Sequence, residues 1–582
     1  MVMDRDSLLL FVFLLSISIC DAQKDESAIE TEQILIVKSF TPSLSDAFKI
    51  KSDPSISDSI SNAKFELVYE LKKIPVISTF EPNKATPLKL KQRILYDPFN
   101  TFFSGAFGNK NQLFFNISSL IEIDRSQRFG FNFYKDGFGN DLDNTFLRSN
   151  QNYNEIGFNH NLRSNQYNVN TQFKFSKSLN NYFGLNENVW DQSSLSSINP
   201  QIRRNRFKVR SNWNWYDYFL HNFILQANLS TDNFDSIEKQ IGLSADFGSE
   251  LARGNLNGKI KIQGLNTRFA SSYFEKIKEE YSQAQGSLSL FWQNTSKDLR
   301  IKIGAGIAYF VGVDQISNDL IYYPEIEILY QKEENKLTPY ITAIGGAKLN
   351  SYSSLSVLNP YLAPTTPLIP TFNKYNVKLG ALSRLASVLN FDFGLTFDEV
   401  ENFSYYQRLP FDNENELESY RLSNAFESRY LDLSFYGFNA SIVINMIKDN
   451  FIRFETSYRF FNTHQEEILW NIPSLKMNWE SQIRWNDRLA FSFNGSMWGD
   501  RSAALRIIFL EQDLTNDLLI NEETLPIFIR SSAHITYKMS EQFDLFFKGK
   551  FNSKGIHGRW AYYPEPPLLI LGGITYKFDF QY

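Results

Sequence analysis

Large apolar side chains occupy every second position, with polar ones between them, through most of this 582-residue sequence, from about Thr101 to its end. Successive side chains of a β-strand point to opposite faces, so each such segment predicts a strand with one apolar and one polar face. Each segment is about ten residues long, the length of a tilted membrane-spanning strand. The clearest examples are residues 167–175, 256–264, 284–292, 452–460, 543–551 and 573–582.

Short and long connections alternate between these segments. Outer-membrane barrels show this asymmetry, with short periplasmic turns and long extracellular loops. The tight turns fall near residues 125–126, 164–165, 219–221, 253–254, 296–298, 333–336, 387–388, 448–450, 486–487 and 540–542. The long links include residues 138–151, 179–203, 352–370, 406–426, 500–525 and 552–567. Counting between them predicts an all-β fold, an antiparallel up-and-down transmembrane barrel of about 22 strands over residues 101–582, with 18 to 24 acceptable.

A large soluble all-β protein is the alternative reading of the same pattern. A propeller would repeat a motif about every 40 to 50 residues, and the sequence has no such period. Tandem sandwiches do not require alternating tight and long links. After residue 22 no run of about 18 apolar residues occurs, so a closed barrel is the remaining way to satisfy backbone groups in hydrocarbon. The membrane barrel is therefore the preferred prediction.

Composition agrees with strands that face lipid on one side and water on the other. Aromatic residues make up 16% of the chain, with 53 Phe and 29 Tyr, although 21% of residues are charged. Aromatic groups at 213–216 and at Trp479 and Trp485 lie near tight turns, where a membrane-interface girdle would place them. A carbohydrate-stacking platform is the alternative for these groups. Outer-membrane lipid is thus a predicted partner, and the net charge of −5 gives no support to a nucleic-acid partner.

Residues 1–22 resemble a secretory signal peptide. An apolar run at 8–19 precedes small residues that end at Ala22, which predicts cleavage there and export. The alternative is a lipoprotein acylated at Cys20, but Ile19 is too bulky for the usual pattern before that cysteine. Cys20 is the single cysteine of the chain, so a chain processed after Ala22 would hold no disulfide. The predicted location is the outer membrane of a Gram-negative cell.

Catalytic and metal-binding patterns are weak in this sequence. Its five histidines are scattered, and HExxH, GxSxG and P-loop motifs do not occur. Residues 136–143 cluster Asp, Asn and Gly, but their spacing differs from an EF-hand loop, which favours a solvated loop over a calcium site. Acidic residues at 412–418 and 511–523 read as charged loop rims. No enzymatic activity, cofactor or metal site is predicted.

The last strand of the sequence carries aromatic residues on its apolar face and ends on one of them. These residues are Tyr576, Phe578, Phe580 and Tyr582. The pattern resembles the insertion signal of outer-membrane barrels. That resemblance implies recognition by the barrel assembly machinery, through addition of a strand to an exposed sheet edge.

Residues 23–100 lack sustained alternation and contain several prolines, which predicts an extended periplasmic arm. Within it, an acidic residue and an apolar run resemble the energy-coupling box of TonB-dependent receptors: Glu32, Ile34, Leu35, Ile36 and Val37. The stretches FTPSLSDAFKI and VISTFEPNKAT resemble Bacteroidota barrels described as TonB-dependent-receptor-like. The resemblance implies TonB, or other periplasmic or lipoprotein partners, that pair with this segment.

The sequence departs from those receptors in one respect. Receptors of that family have about 22 strands and a folded plug inside the lumen, because so wide a barrel would otherwise leak. Only about 60 residues separate Lys38 from Thr101, too few for the usual plug. The resemblance therefore implies that the arm, inward-folded loops or a partner protein closes the lumen.

Two functional hypotheses remain, with a plain diffusion porin as a third. The first is an outer-membrane transport barrel with TonB-linked uptake or export of an unidentified substrate. The second is a non-catalytic structural or accessory subunit of an outer-membrane assembly or secretion complex. Charged residues of both signs are predicted to face the lumen, which leaves the substrate open. The cationic ones include Lys174, Lys259, Lys261, Arg453, Arg459, Lys548 and Lys550.

Overall fold

The computed structural model describes residues 99–143, 145–185, 195–216, 218–251, 253–271, 280–312, 320–332, 336–385, 388–411, 418–446, 450–463, 467–506 and 520–580. The predicted signal peptide (1–22) and nearly all of the predicted arm (23–100) lie outside these residues, so both stay predictions. No helix in the described part of the chain is long and apolar enough to cross a membrane.

The described elements are 24 strands, one α-helix and a 3-10 turn at Asn109–Asn111. The first twelve strands are β1 (Thr101–Gly108), β2 (Gln112–Glu122), β3 (Gln127–Phe138), β4 (Gln151–Arg163), β5 (Tyr167–Asn181), β6 (Gln201–Trp215), β7 (Leu220–Asp232), β8 (Ile237–Leu251), β9 (Gly254–Arg268), β10 (Glu280–Thr295), β11 (Leu299–Val311) and β12 (Leu320–Tyr330). They are followed by β13 (Leu337–Lys348), α1 (Tyr352–Leu358), β14 (Thr371–Arg384), β15 (Leu389–Arg408), β16 (Phe426–Asn445), β17 (Phe451–Thr463), β18 (Leu475–Arg484), β19 (Leu489–Trp498), β20 (Arg501–Arg506), β21 (Ile520–Leu525), β22 (Phe528–Lys538), β23 (Phe543–Asn552) and β24 (Leu568–Phe578).

Twenty-two of these strands form one closed antiparallel barrel. Each strand pairs with the next in sequence, and β1 pairs with β24 from Thr101↔Phe578 to Gly108↔Leu571, which closes the sheet. β19 pairs directly with β22, so the short hairpin of β20 and β21 is a separate two-stranded sheet in the link between them. The fold class and the strand count predicted from the sequence are confirmed.

The barrel has a turn end, with the tight turns, and a loop end, with the long links. Every tight turn predicted from the sequence falls at the junction of two consecutive barrel strands, and the predicted link 138–151 matches the bounds of β3 and β4. The predicted turn at 219–221 is displaced slightly, because β7 already begins at Leu220. The sequence pattern did not predict α1, the hairpin of β20 and β21, or the short link between β1 and β2.

Alternation along each strand separates an outer apolar face from an inner polar face. On β9, Ile260 and Ile262 face outward and are 39% and 51% exposed, whereas Lys259 and Lys261 face the lumen. Residues opposite each other in a ladder share a face, so the pairing also places the other predicted cationic residues inside. Phe546 is an inward-facing exception on β23 and packs with Ala106 and Phe114. The outer surface is therefore the hydrocarbon-facing one.

The facing of β9 predicts opposite effects for one charge placed on its two sides. Ile260→Arg puts a cation into hydrocarbon and should lower the free energy of unfolding in lipid bilayers by about 2–4 kcal/mol. Asn257→Arg on the same strand points into the lumen and should change it little. Urea-dependent unfolding in phospholipid vesicles measures both values, and equal losses for the two variants would contradict the assignment of faces.

Candidate functional site

The link from β13 to β14, residues 349–370, is free of charged residues over its whole length. Such a segment has little reason to lie in bulk water, and it does not. The loop folds inward over the mouth at the loop end, where Leu355, Leu362 and Thr366 are each at most 1% exposed. Together with the described parts of loops 182–200, 409–425 and 553–567, it forms an inward-folded layer that we call the lid.

Helix α1 fixes the start of this loop to the barrel wall at β8 and β9. Glu238, on the inner face of β8 and only 3% exposed, accepts the backbone N–H groups of Tyr352 (2.6 Å) and Ser353 (3.0 Å). The Thr267 hydroxyl donates to the same carboxylate at 2.9 Å. Ser351 caps the helix by accepting the N–H of Ser354. The first helical N–H groups, which lack partners within the helix, are thus all satisfied.

Arg204, on β6 and 1% exposed, holds the second half of the same loop. Its guanidinium donates to the backbone oxygens of Pro360 (2.6 Å) and Leu362 (2.9 Å). The Tyr352 hydroxyl lies 3.4 Å from the same group and donates to Asp232 on β7 at 2.8 Å. A buried guanidinium without such acceptors would be strongly destabilising, so the wall and the loop stabilise each other.

Aromatic rings fill the space between the four loops of the lid. Tyr361 and Tyr563 stack with ring centroids 3.5 Å apart, and Phe183 meets Tyr563 edge-on at 4.9 Å. Phe426 and Trp560 pack at 5.2 Å. These residues belong to one buried cluster that also includes inward-facing wall residues at the loop end of the barrel. The lid therefore has a hydrophobic core of its own.

Hydrogen bonds tie the loops of the lid to one another. The Tyr182 hydroxyl donates to the Leu362 carbonyl at 2.7 Å, and the Asn424 side chain donates to the Tyr182 carbonyl at 2.8 Å. Arg408, at the loop end of β15, donates to the Gly184 carbonyl at 2.8 Å. Each contact joins a different pair of loops or a loop and the wall. The described loops are thus a cooperative layer.

The phenols of the lid stay neutral at physiological pH. Burial raises the pKa of Tyr420 to about 12, and a hydrogen bond to Glu418 adds to the shift. Burial also raises the pKa of Tyr361 and Tyr563 well above the usual range of a phenol. A neutral phenol can donate its hydrogen bond inside the core without the cost of a buried charge.

Below the lid, polar residues of the inner wall line a cavity of about 600 Å³. Its lining includes Tyr134, Asp136, Tyr153, Arg530 and Lys550. Lys550 Nζ lies 2.8 Å from the Asp136 carboxylate, which joins β23 to β3 across the closing seam. A second cavity of about 430 Å³ opens among the lid loops and is lined mainly by apolar side chains. Solute-sized space therefore exists at the lid and beneath it.

The residues of the predicted insertion signal lie at the turn end. Tyr576 stacks on Phe578 with centroids 5.3 Å apart and packs against Phe543 of β23, while Phe580 is 50% exposed. Tyr582 lies outside the described residues. So do all five residues of the predicted energy-coupling box, Glu32, Ile34, Leu35, Ile36 and Val37. The insertion signal and the box both remain predictions.

The Asp-rich stretch 136–143 takes part in structural contacts. Asp141 accepts the backbone N–H groups of Ser149 (2.7 Å) and Asn150 (3.2 Å), and Asp143 pairs with Lys110 at 2.8 Å. Among the described residues, no group of three or more His, Cys, Asp or Glu side chains is placed to hold a metal ion.

The sequence predicts inward-folded loops as one of three ways to close the lumen, but it does not identify their anchors. Glu238 and Tyr352 are 114 positions apart, and no local period connects them. Two signals were nevertheless present in the sequence. One is the uncharged stretch 349–370, and the other is a glutamate at 238 in an inward position near the loop end of a strand.

Comparisons with known proteins agree on the fold. No family model matches the sequence, and no curated protein matches it. Solved structures do match. The siderophore receptor PirA from Acinetobacter baumannii has a TM-score of 0.57 at 13% identity, over 82% of this chain and 80% of that one. A variant of the ferric enterobactin receptor PfeA from Pseudomonas aeruginosa has a TM-score of 0.56 at 11% identity, over 82% and 80%. The FrpB iron transporter from Neisseria meningitidis has 0.58 at 10%, over 82% and 81%. The chain is a β-barrel of the outer-membrane type.

The lid core is packed so closely at Gly184 that it leaves no room for an added methyl group. A Cβ added at Gly184 would lie 2.3 Å from the Tyr563 ring, so Gly184→Ala must displace that ring at about 1–3 kcal/mol. Gly555 has room, with its nearest neighbour at 3.6 Å, and Gly555→Ala is the matched control. In planar bilayers, Gly184→Ala should open more often than the control. Indistinguishable conductance would contradict the close packing of the lid.

Proposed function

We propose that this chain is an outer-membrane transport barrel whose lid opens to pass a substrate, driven by a TonB-type partner. The observation that carries the proposal is the lid itself. A barrel of 22 strands encloses a lumen wide enough to leak, and the chain folds its own loops into the mouth. Closure of this kind is required of a channel that must be opened selectively.

The contacts that hold the lid are suited to reversible release. They are hydrogen bonds and aromatic packing, with no covalent link between loop and wall among the described residues. Two wall side chains, Arg204 and Glu238, anchor the uncharged loop at its two halves. Weakening either anchor leaves buried polar groups without partners, at about 1–3 kcal/mol for each neutral group and more for a charged one. Gln283 on β10 and Ser428 on β16 hold the same loop by further hydrogen bonds to its Leu368 and Pro367 carbonyls, so opening requires several buried contacts to break together.

The energy link rests on the segment Glu32 to Val37 and on its resemblance to the coupling box. An extended apolar segment that reaches a periplasmic partner can transmit a pull by pairing with that partner's strand edge. Iron chelates are the first substrate class to test. The reason is that similar folds occur in a siderophore receptor and an iron transporter.

The alternative is a non-catalytic accessory subunit of an outer-membrane assembly or secretion complex. The size of the aromatic core in the lid favours it, because a permanently closed mouth would serve a scaffold better than a channel. Under this alternative the barrel is a membrane anchor, and the loops and arm bind other proteins.

Deleting residues 31–38 separates the two functions. Under the transport proposal, iron-limited cells should lose energy-dependent uptake of the substrate, tested first with ferric enterobactin and ferric citrate, while the barrel still reaches the outer membrane. Co-purification of partner proteins should persist apart from TonB. Unchanged uptake together with loss of other co-purifying proteins would support the accessory subunit and contradict transport.

Locking the lid tests whether the mouth must open. The hydroxyl oxygens of Thr366 in the lid and Ser428 on β16 are 2.8 Å apart and fully buried. Thr366→Cys with Ser428→Cys should therefore form a disulfide that joins loop to wall. Oxidised cells should lose uptake and regain it on reduction, whereas each single cysteine variant should transport under both conditions. Uptake that is equal in the oxidised and reduced double variant would contradict gating by the lid.

A further inference from the structure

The inner faces of three neighbouring strands beneath the lid carry nearly one sign of charge. Side chains alternate along β5, β6 and β7, and residues opposite each other in the ladders share a face. The inner faces of these three strands hold five cationic side chains and one carboxylate: Lys174, Arg204, Arg206, Lys208 and Arg210, with Asp232. The single carboxylate lies at the loop end and is bound by the Tyr352 hydroxyl.

Four of these cations form what we call the cationic strip, namely Lys174, Arg206, Lys208 and Arg210. Lys174 and Lys208 are directly opposite each other in the pairing of β5 and β6. Like charges in that position destabilise a sheet, so the wall keeps an arrangement that costs it stability. Lys174 is partly compensated by Glu155 on β4, 3.3 Å away. Glu155 is also bound by the Tyr153 hydroxyl.

Lys208 and Arg210 have no direct partner of this kind, although the Glu155 carboxylate also attracts Lys208 at longer range. Both are exposed to the lumen, and neither has a hydrogen bond or an ion pair to any residue that the structure describes. Their ladder neighbours other than Lys174 are neutral amides. Asn228 lies opposite Lys208 on β7, and Gln172 and Gln226 flank Arg210. Amide N–H groups beside two unpaired cations are further donors to an anion.

The strip begins at the lid. Arg206 donates to the hydroxyls of Ser353 (3.2 Å) and Ser356 (2.9 Å) on α1. Lys208 and Arg210 follow on the same face of the same strand, each two residues further from the loop end. A solute that has passed the lid would therefore meet cations at successive depths along one side of the lumen.

We propose that the cationic strip binds a polyvalent oxyanion, a solute with several phosphate or carboxylate groups, during its passage through the barrel. The proposal rests on the proposed transport function and names the substrate class for it. Arginine and lysine at two-residue spacing present donors to separate anionic groups of one solute. Their charge-assisted hydrogen bonds are stronger than those between neutral groups. Below Asp232 the inner faces of these three strands hold no carboxylate, and Glu155 on the adjacent β4 is paired with Lys174.

Isothermal titration of the full chain in detergent tests the strip, with tripolyphosphate and citrate as probes and spermine as the cationic comparison. The unchanged protein should bind at least one oxyanion, with affinity that falls as salt rises, and should not bind spermine at the strip. Lys208→Gln with Arg210→Gln should weaken oxyanion binding by about ten-fold or more. The relative affinities for the two probes distinguish phosphate from carboxylate recognition.

The matched control removes the same two charges from the outside of the same wall. Lys177 on β5 and Lys239 on β8 face outward and are exposed, so Lys177→Gln with Lys239→Gln should leave binding unchanged. Absence of oxyanion binding in the unchanged protein, or equal weakening in both double variants, would overturn the inference. Binding is measured on purified protein and does not depend on transport. Oxyanion binding without any uptake in cells would therefore support the inference about the strip and contradict the transport function.

Discussion

The backbone of this protein must find all its hydrogen-bond partners inside hydrocarbon, and the seam between β1 and β24 makes that possible. An open 22-stranded sheet would expose two edges to lipid, where each unpaired N–H and C=O costs several kcal/mol. Closure leaves one face for lipid and one for water. The two-residue alternation of the sequence, the outward Ile260 and the inward Lys259 are all consequences of that requirement.

Closure of the wall creates a second problem at the mouth, because 22 strands surround more space than their inward side chains can fill. At the loop end, the links between strands fill this space. An uncharged loop crosses the mouth and is held by the buried side chains of Arg204 and Glu238, while aromatic rings from four loops fill the remainder. The cationic strip starts where this layer ends, so the lid and the proposed anion path share the wall of β6.

The fold could be predicted from the sequence because its signal is local. Side-chain alternation has a period of two, and tight turns interrupt it at regular intervals, so strand number and connectivity can be read without distant contacts. The lid could not be predicted in the same way. Its anchors join residues 114 to 158 positions apart, and whether a long link folds inward depends on partners that no local pattern identifies. Phe546 shows the same limit on a smaller scale, since its inward position follows from packing against Phe114.

Amide hydrogen exchange of residues 349–370, measured in native outer-membrane vesicles, tests the central claim most directly. If this loop lies buried in the mouth and is anchored to the wall, its amides should exchange as slowly as those of β6. Slow exchange would be unusual for a link between two strands at the loop end of the barrel. Exchange as fast as in the exposed turn at 253–254 would show that the loop lies in solvent. The assignment of the lid, and the gating proposed for it, would then be contradicted.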